Sequence, residues 1–243
     1  MFELIAGGIS VFIAAFLGGV SGFGYSLVAT PLLLLLGFPL EFVITANMAL
    51  ALITRISVVY RFREFLSRRR VAGMIGGSLP GLWLGAQVLV SVPADAIKLA
   101  AGVIVMAMAI FLARDKSDEP PPPIPGAPWA AGFTGGFLGS ATSLNGIGPI
   151  LLMARDKASP KSFLADLALY FVASNALGLI ILYSEDAISE RALYPAFLLW
   201  LPASLVGNWI GTAQGPKLPA TVFRRMTLVL IFVAGGLTAG SAI

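Results

Sequence analysis

Two stretches decide the architecture of this chain: GGVSGFGYSLVATPLLLLL at residues 18–36 and GGFLGSATSLNGIGPILLM at residues 135–153. Both are apolar enough for lipid, yet both collect glycines and hydroxyls. Glycine costs about 1 kcal/mol relative to alanine inside a helix. Gly22 with Gly24, and Gly146 with Gly148 ahead of Pro149, therefore predict helices interrupted within the membrane. Close helix packing through small residues is the competing explanation of the same glycines.

Around these stretches, 58% of the 243 residues are hydrophobic and 12% charged, whereas roughly a quarter of a soluble domain is charged. The chain is a membrane protein with no space for a separate soluble domain. With no Cys and no His, it excludes disulfides, thiolate catalysis and metal sites built on imidazole or sulfur; no cofactor or metal is expected.

Eight apolar blocks run over residues 4–38, 42–60, 71–92, 96–113, 129–153, 163–183, 193–212 and 222–243. Between the fourth and fifth, RDKSDEPPPPIPGAP (residues 114–128) reads as an extended proline linker. It separates a first repeat (1–113) from a second (129–243). Four matches in the same order support the duplication: GGVSGFGYS with GGFLGSATS, Pro31 with Pro149 after a one-residue slip, Pro80 and Gly85 with Pro202 and Gly207, and PADAIK with PATVFR.

Charge sets the topology. If blocks one and five are re-entrant hairpins and the other six cross once, the basic residues Arg61, Arg63, Arg68, Arg69, Arg70, Arg114, Lys116, Arg155, Lys157, Lys161, Lys217, Arg224 and Arg225 all face the cytoplasm. Only Lys98 and Arg191 fall outside, and Arg55 lies within a span. The expected fold is an all-α polytopic membrane protein of two inverted-topology repeats, each a glycine-broken re-entrant hairpin plus three transmembrane helices. Both termini are expected on the non-cytoplasmic side. The start MFELIAGG has an acid and no basic region, so no cleaved signal is expected. The RRR run at Arg68–Arg70 reads as an orientation signal rather than a nucleic-acid or lipid patch.

The glycine-rich stretches, together with ARDKASPKSFLADLALYFVASNALGL and LPASLVGNWIGTAQGPKLPATVFRRMTLVLIFVAGG, resemble the sulfite exporter TauE/SafE family of membrane permeases over nearly the whole chain outside the linker. The resemblance implies an inner-membrane permease that moves small anions such as sulfite, sulfonates or related organic acids. This chain has Tyr25 and Ser26 where the family commonly continues with glycine, and Ile150 where it commonly has a second proline.

Independently of that resemblance, a helix stopped within the membrane can bind an anion through its free N–H groups and positive dipole end. The candidate residues are Gly22, Phe23, Gly24, Tyr25 and Ser26 in the first half, and Ser140, Thr142, Ser143, Asn145, Gly146 and Gly148 in the second. The hydroxyls alternatively satisfy carbonyls freed by the break. Arg55 either attracts the anion or snorkels toward the cytoplasmic interface. Asn47 shares its face, and Asn175 takes the place of Arg55 across the repeat. Asp166, with Tyr170 and Ser174 on one face, either couples transport to protons or pairs near the interface with Lys161. Gln87 and Asn208 are expected to make interhelical hydrogen bonds. The partners expected are a small anion and the lipid bilayer, with no nucleic acid; a co-transported proton and a homodimer stay open. An intramembrane hydrolase would need a nucleophile with a base, and a structural subunit would need no polar groups at the breaks.

Overall fold

The computed structural model describes residues 2–114, 122–188 and 190–217, with isolated positions beyond. Among the described residues there is no strand. The described residues form nine α-helices in succession: α1 (Phe2–Ser21), α2 (Gly24–Leu35), α3 (Leu40–Phe62), α4 (Arg68–Ser91), α5 (Ala94–Arg114), α6 (Ala127–Thr142), α7 (Ile147–Arg155), α8 (Pro160–Ser184) and α9 (Glu190–Gln214). Five of the described helical segments are long and apolar enough to cross a membrane, those of α1, α3, α4, α8 and α9. The last two apolar residues of the linker region, Ala127 and Pro128, already belong to α6. The expected eighth block, 222–243, lies almost wholly outside the described residues.

Both predicted breaks are present, and both close into hairpins. Gly22 has φ 87° and Ser143 φ 67°. At each, the N–H reaches back one turn, from Gly22 to the Gly18 carbonyl and from Ser143 to that of Gly139, both at 2.8 Å. α7 then runs back along α6, since Gly139 lies against Asn145, Gly135 against Pro149 and Gly148 against Ala131. The hairpins also leave alike. Gly37 and Lys157 both take a left-handed turn, with Phe38 N–H on the Leu33 carbonyl (3.2 Å) and Ala158 N–H on that of Met153 (3.0 Å).

These turns revise the register of the repeat. Sequence pairs Gly22 with Gly139 and Ser26 with Ser143, but the structurally equivalent residues are Gly22 and Ser143, one helical turn away. After the hairpins the equivalence is Gly37 with Lys157 and Pro39 with Ser159, the spacing that also pairs Thr54 with Ser174 and Arg55 with Asn175.

The halves are not separate bodies. α4 packs on α6, and α1 on α9. Gly77, Gly81 and Gly85 of α4 press on the carbonyls of Trp129, Phe133 and Phe137, while Gly207 and Gly211 of α9 and Gly215 just after it press on those of Phe12, Phe16 and Val20. In both pairs the numbers rise together, so the helices are parallel. A side chain at these positions would force them apart, which is the small-residue packing offered above as the alternative explanation of glycine. Both explanations hold, at different glycines. α3 and α8 run antiparallel, with Met48 against Gly178, Arg55 over Phe171 and Phe62 in one cluster with Leu164.

The connections sort by end. Arg70 reaches Asp166 (3.0 Å) and Asp156 (3.8 Å), Lys161 lies over Phe65, and Arg155 donates to the Pro122 carbonyl (2.8 Å). The basic segments around 61–70 and 155–161 thus share one end. At the other end Leu40, Leu89, Ile97, Leu182 and Ala187 form an apolar cluster.

Candidate anion site

Each break is organised by a hydroxyl one residue before it. Ser21 Oγ donates to the Leu17 carbonyl (2.7 Å) and accepts from Gly24 N–H (3.0 Å) and Phe23 N–H (3.4 Å). Thr142 Oγ1 donates to the Leu138 carbonyl (2.6 Å) and accepts from Leu144 N–H (3.4 Å). In both halves the side chain ties the last turn of the first helix to an N–H beyond it, and Ser21 also reaches the first residue of the next helix, Gly24. Thr142 is therefore a structural hydroxyl, and the N–H groups at the break that sequence assigns to an anion are partly taken. Ser21 is the functional-region residue that sequence reasoning passes over. Its signal is the Ser–Gly pair closing a helix, matched by Thr–Ser in the second half.

Gly22 and Phe23 do not lie midway along the neighbouring helix. A Cβ on Gly22 would meet Leu164 at 2.9 Å, and the Phe23 ring stands edge-on to Phe163 at 5.9 Å, both in the first turns of α8. The open polar groups sit nearer the centre of α3 and α8.

Arg55 is 2% exposed. Its Nη2 donates to the Gly18 carbonyl (2.9 Å) and its guanidinium carbon lies 5.9 Å from the centre of the Phe171 ring, while Nη1 has no protein partner. It reaches inward to α1 and α8 rather than snorkelling to the interface. Gly18 makes room for it: a Cβ there would stand 3.0 Å from Nη2 and 2.7 Å from the Tyr25 nitrogen. The Tyr25 hydroxyl is buried beside this group without a protein partner; Ser26 is half-buried. Asn47 Nδ2 donates to Thr30 Oγ1 (3.0 Å), tying α3 to α2, and its Oδ1 is unpartnered.

In the second half, Asn145 Nδ2 donates to Asn175 Oδ1 (2.6 Å) and lies 3.4 Å from Ser174 Oγ. Asn175 Nδ2, Ser140 Oγ and Ser143 Oγ have no protein partner. Gly148 is wedged against the Ala131 carbonyl and Thr134, and Gly146 against Ile150 and Phe171, so these two glycines serve packing. In the antiparallel register Asn175 is four residues beyond Phe171, about 6 Å along the axis from Arg55. The polar atoms at the middle of α3 and α8 are mainly donors, and each costs about 1–3 kcal/mol to bury unpaired.

Asp166 is 0% exposed and faces the basic end. Its Oδ1 accepts from Ser67 N–H (2.7 Å) and its Oδ2 from Arg70 Nη1 (3.0 Å). The partner is Arg70 of the other half, not Lys161. Tyr170 is buried with its ring 5.7 Å from Phe171 and its hydroxyl at Gly135, apart from Asp166. Asn208 donates to the Thr54 carbonyl (3.2 Å), as expected of an interhelical bond, whereas Gln87 lines an apolar groove with Phe133 and Phe137 on the outer face.

The model of the sulfite exporter TauE/SafE family matches residues 8–238. This chain belongs to that family. The match spans α2 to α9 and all but the first residues of α1, which places the chain among multi-pass membrane transporters of the sulfite and sulfonate type. No curated protein and no solved structure matches it.

Proposed function

We propose that this TauE/SafE member is a secondary permease for a small oxyanion, sulfite, a sulfonate or a related organic acid, bound between the middles of α3 and α8. One observation carries the reading: Arg55 is a buried cation whose free Nη1 and neutral surroundings leave its charge uncompensated. Charge inside a membrane is costly enough that such a group calls for an anion. Tyr25, Ser140, Ser143 and Asn175 supply further hydrogen-bond donors.

Two inverted repeats are supported by helix direction. α1 and α9 run parallel, as do α4 and α6, while α3 opposes α8. A twofold axis in the membrane plane exchanging the halves produces this pattern. The basic end faces the cytoplasm by the excess of Lys and Arg. Because α1 packs on α9 and α4 on α6, the bodies that move in alternating access are drawn from both halves, α1 and α2 with α9 against α6 and α7 with α4. This packing favours such mixed bodies over one repeat rocking on the other.

The test is flux of labelled sulfite, sulfoacetate and a plain carboxylate in proteoliposomes, with ligand-dependent rise in melting temperature as a second readout. Arg55→Gln is expected to weaken anion stabilisation more than ten-fold in apparent affinity, within the range for loss of a charged hydrogen bond. Absence of flux for every anion tested would sink the permease reading.

A further inference from the structure

A buried arginine with no carboxylate leaves the transport cycle electrically unbalanced, and this fixes where a membrane potential can act. The groups facing Arg55 are Gly18 from α1, Tyr25 from α2 and Phe171 from α8. None is an acid. Nine of the twelve acids of the chain lie among the described residues. Glu3, Glu41 and Asp95 lie in the first turns of α1, α3 and α5, Glu64 follows α3, Asp156 follows α7, Glu185 and Asp186 follow α8, and Glu190 opens α9. Asp115, Asp118 and Glu119 follow α5 in sequence and lie outside the described residues. The twelfth, Asp166, is held by Arg70 and Ser67 at the basic end. There is no histidine. Among the described residues, therefore, no carboxylate or imidazole stands at the middle of the helices to move a proton or to offset Arg55.

We propose that the protein is an electrogenic anion uniporter whose loaded site is neutral and whose empty site carries the charge. The proposal rests on the anion-site reading above. A monoanion on Arg55 brings the sum of charges to zero, so the loaded site changes sides without moving charge. After release, the site returns as a cation. A potential negative on the cytoplasmic side draws that returning cation inward, and each cycle then carries one anion out. The potential drives the empty return rather than the step that carries substrate. One elementary charge per cycle lets 100 mV sustain about a fifty-fold anion gradient.

The experiment uses the full chain in proteoliposomes with the potential set by potassium and valinomycin, and radiolabelled methanesulfonate, which stays monoanionic at all working pH. Net efflux is expected to rise several-fold with a potential negative on the basic side and to ignore a pH gradient at zero potential. Anion-for-anion exchange, with saturating anion on both sides so that the site seldom returns empty, is expected to ignore the potential. In Arg55→Gln the site is neutral when empty, so exchange should become potential-dependent. Arg55→Lys keeps the charge and should keep potential-independent exchange, which separates the charge effect from a folding defect. Efflux driven by a pH gradient at zero potential, or exchange in the unaltered protein or the lysine variant that follows the potential, overturns the proposal and leaves the permease reading intact. No flux of methanesulfonate, sulfite or carboxylate at any potential overturns both.

Discussion

Asp166 and Arg55 are both ionisable residues in apolar helices, and their surroundings give them opposite tasks. Asp166 has both oxygens occupied, by an N–H of Ser67 and by Arg70, and so joins the two halves at the basic end. Arg55 has one nitrogen occupied by a neutral carbonyl and one left open. Asp166→Asn keeps the acceptor for Ser67 but removes the charge opposite Arg70. Because Arg70 is 24% exposed, water screens the loss, and the expected cost is about 1–3 kcal/mol rather than that of a fully buried pair. The checks are a lowered melting temperature in detergent and a flux whose response to a pH gradient is unchanged; altered pH-gradient response would return Asp166 to a coupling role. Ser21 and Thr142 make a matched pair. Ser21→Ala and Thr142→Ala each remove a hydroxyl that bonds both sides of a break and should cost about 1 kcal/mol, while Ser21→Thr should cost much less, since Thr142 likewise donates one turn back and accepts an N–H two residues on. Denaturant titration in micelles would read the difference.

At the scale of helices, glycines of one composition do two jobs, and only one of them is readable from spacing. Gly81 presses on the Phe133 carbonyl and Gly211 on that of Phe16. Alanine at either position must separate α4 from α6 or α1 from α9, and the expected cost is about 1–3 kcal/mol, typical of overpacking. Gly37 instead has a positive φ and open space around it, and Lys157 occupies the equivalent turn. Gly37→Asn should therefore cost less than about 1 kcal/mol, because asparagine tolerates that conformation. Thermal unfolding of the three variants ranks them. The same facts explain how far sequence reached. The helix breaks and the basic clusters were legible because glycine and charge act locally. The register of the hairpins was not, because glycines repeat every four residues, so a shift by one turn leaves the small-residue face nearly unchanged. The pairing of α1 with α9 and α4 with α6 was equally hidden, since a glycine stripe records that a helix is approached closely and not by which neighbour. Arg55, Asn145 and Asn175 were found as unusual polar residues in apolar blocks. Ser21 was not, because a serine next to glycines looks like any other small residue until its hydroxyl is seen to bridge two helices.

The direction of each helix, taken over the whole molecule, follows from contacts already given. If α1 runs away from the apolar end, α9 runs with it; α2 returns, α3 runs out again, and α4 comes back. α6 is parallel to α4, so the second hairpin enters from the basic end, and α8 descends against α3. The two hairpins then approach from opposite faces, as the inverted repeat proposed above requires. The consequence concerns sidedness. Connections around Arg63 and Lys157 must share a face, as the contacts of Arg70 with Asp156 and Asp166 already bring them together. Those around Gly37 and Glu185 must share the other. The chain has no cysteine, so single cysteines at these four positions report without background. In intact cells, a membrane-impermeant maleimide should label Gly37→Cys and Glu185→Cys, and leave Arg63→Cys and Lys157→Cys untouched until the membrane is permeabilised. The informative comparison is within pairs. Gly37 and Lys157 are equivalent positions in the two repeats, so labelling of both from one side would mean parallel repeats and would break the twofold relation on which the shared anion site depends, whereas opposite labelling is the outcome that inverted hairpins demand.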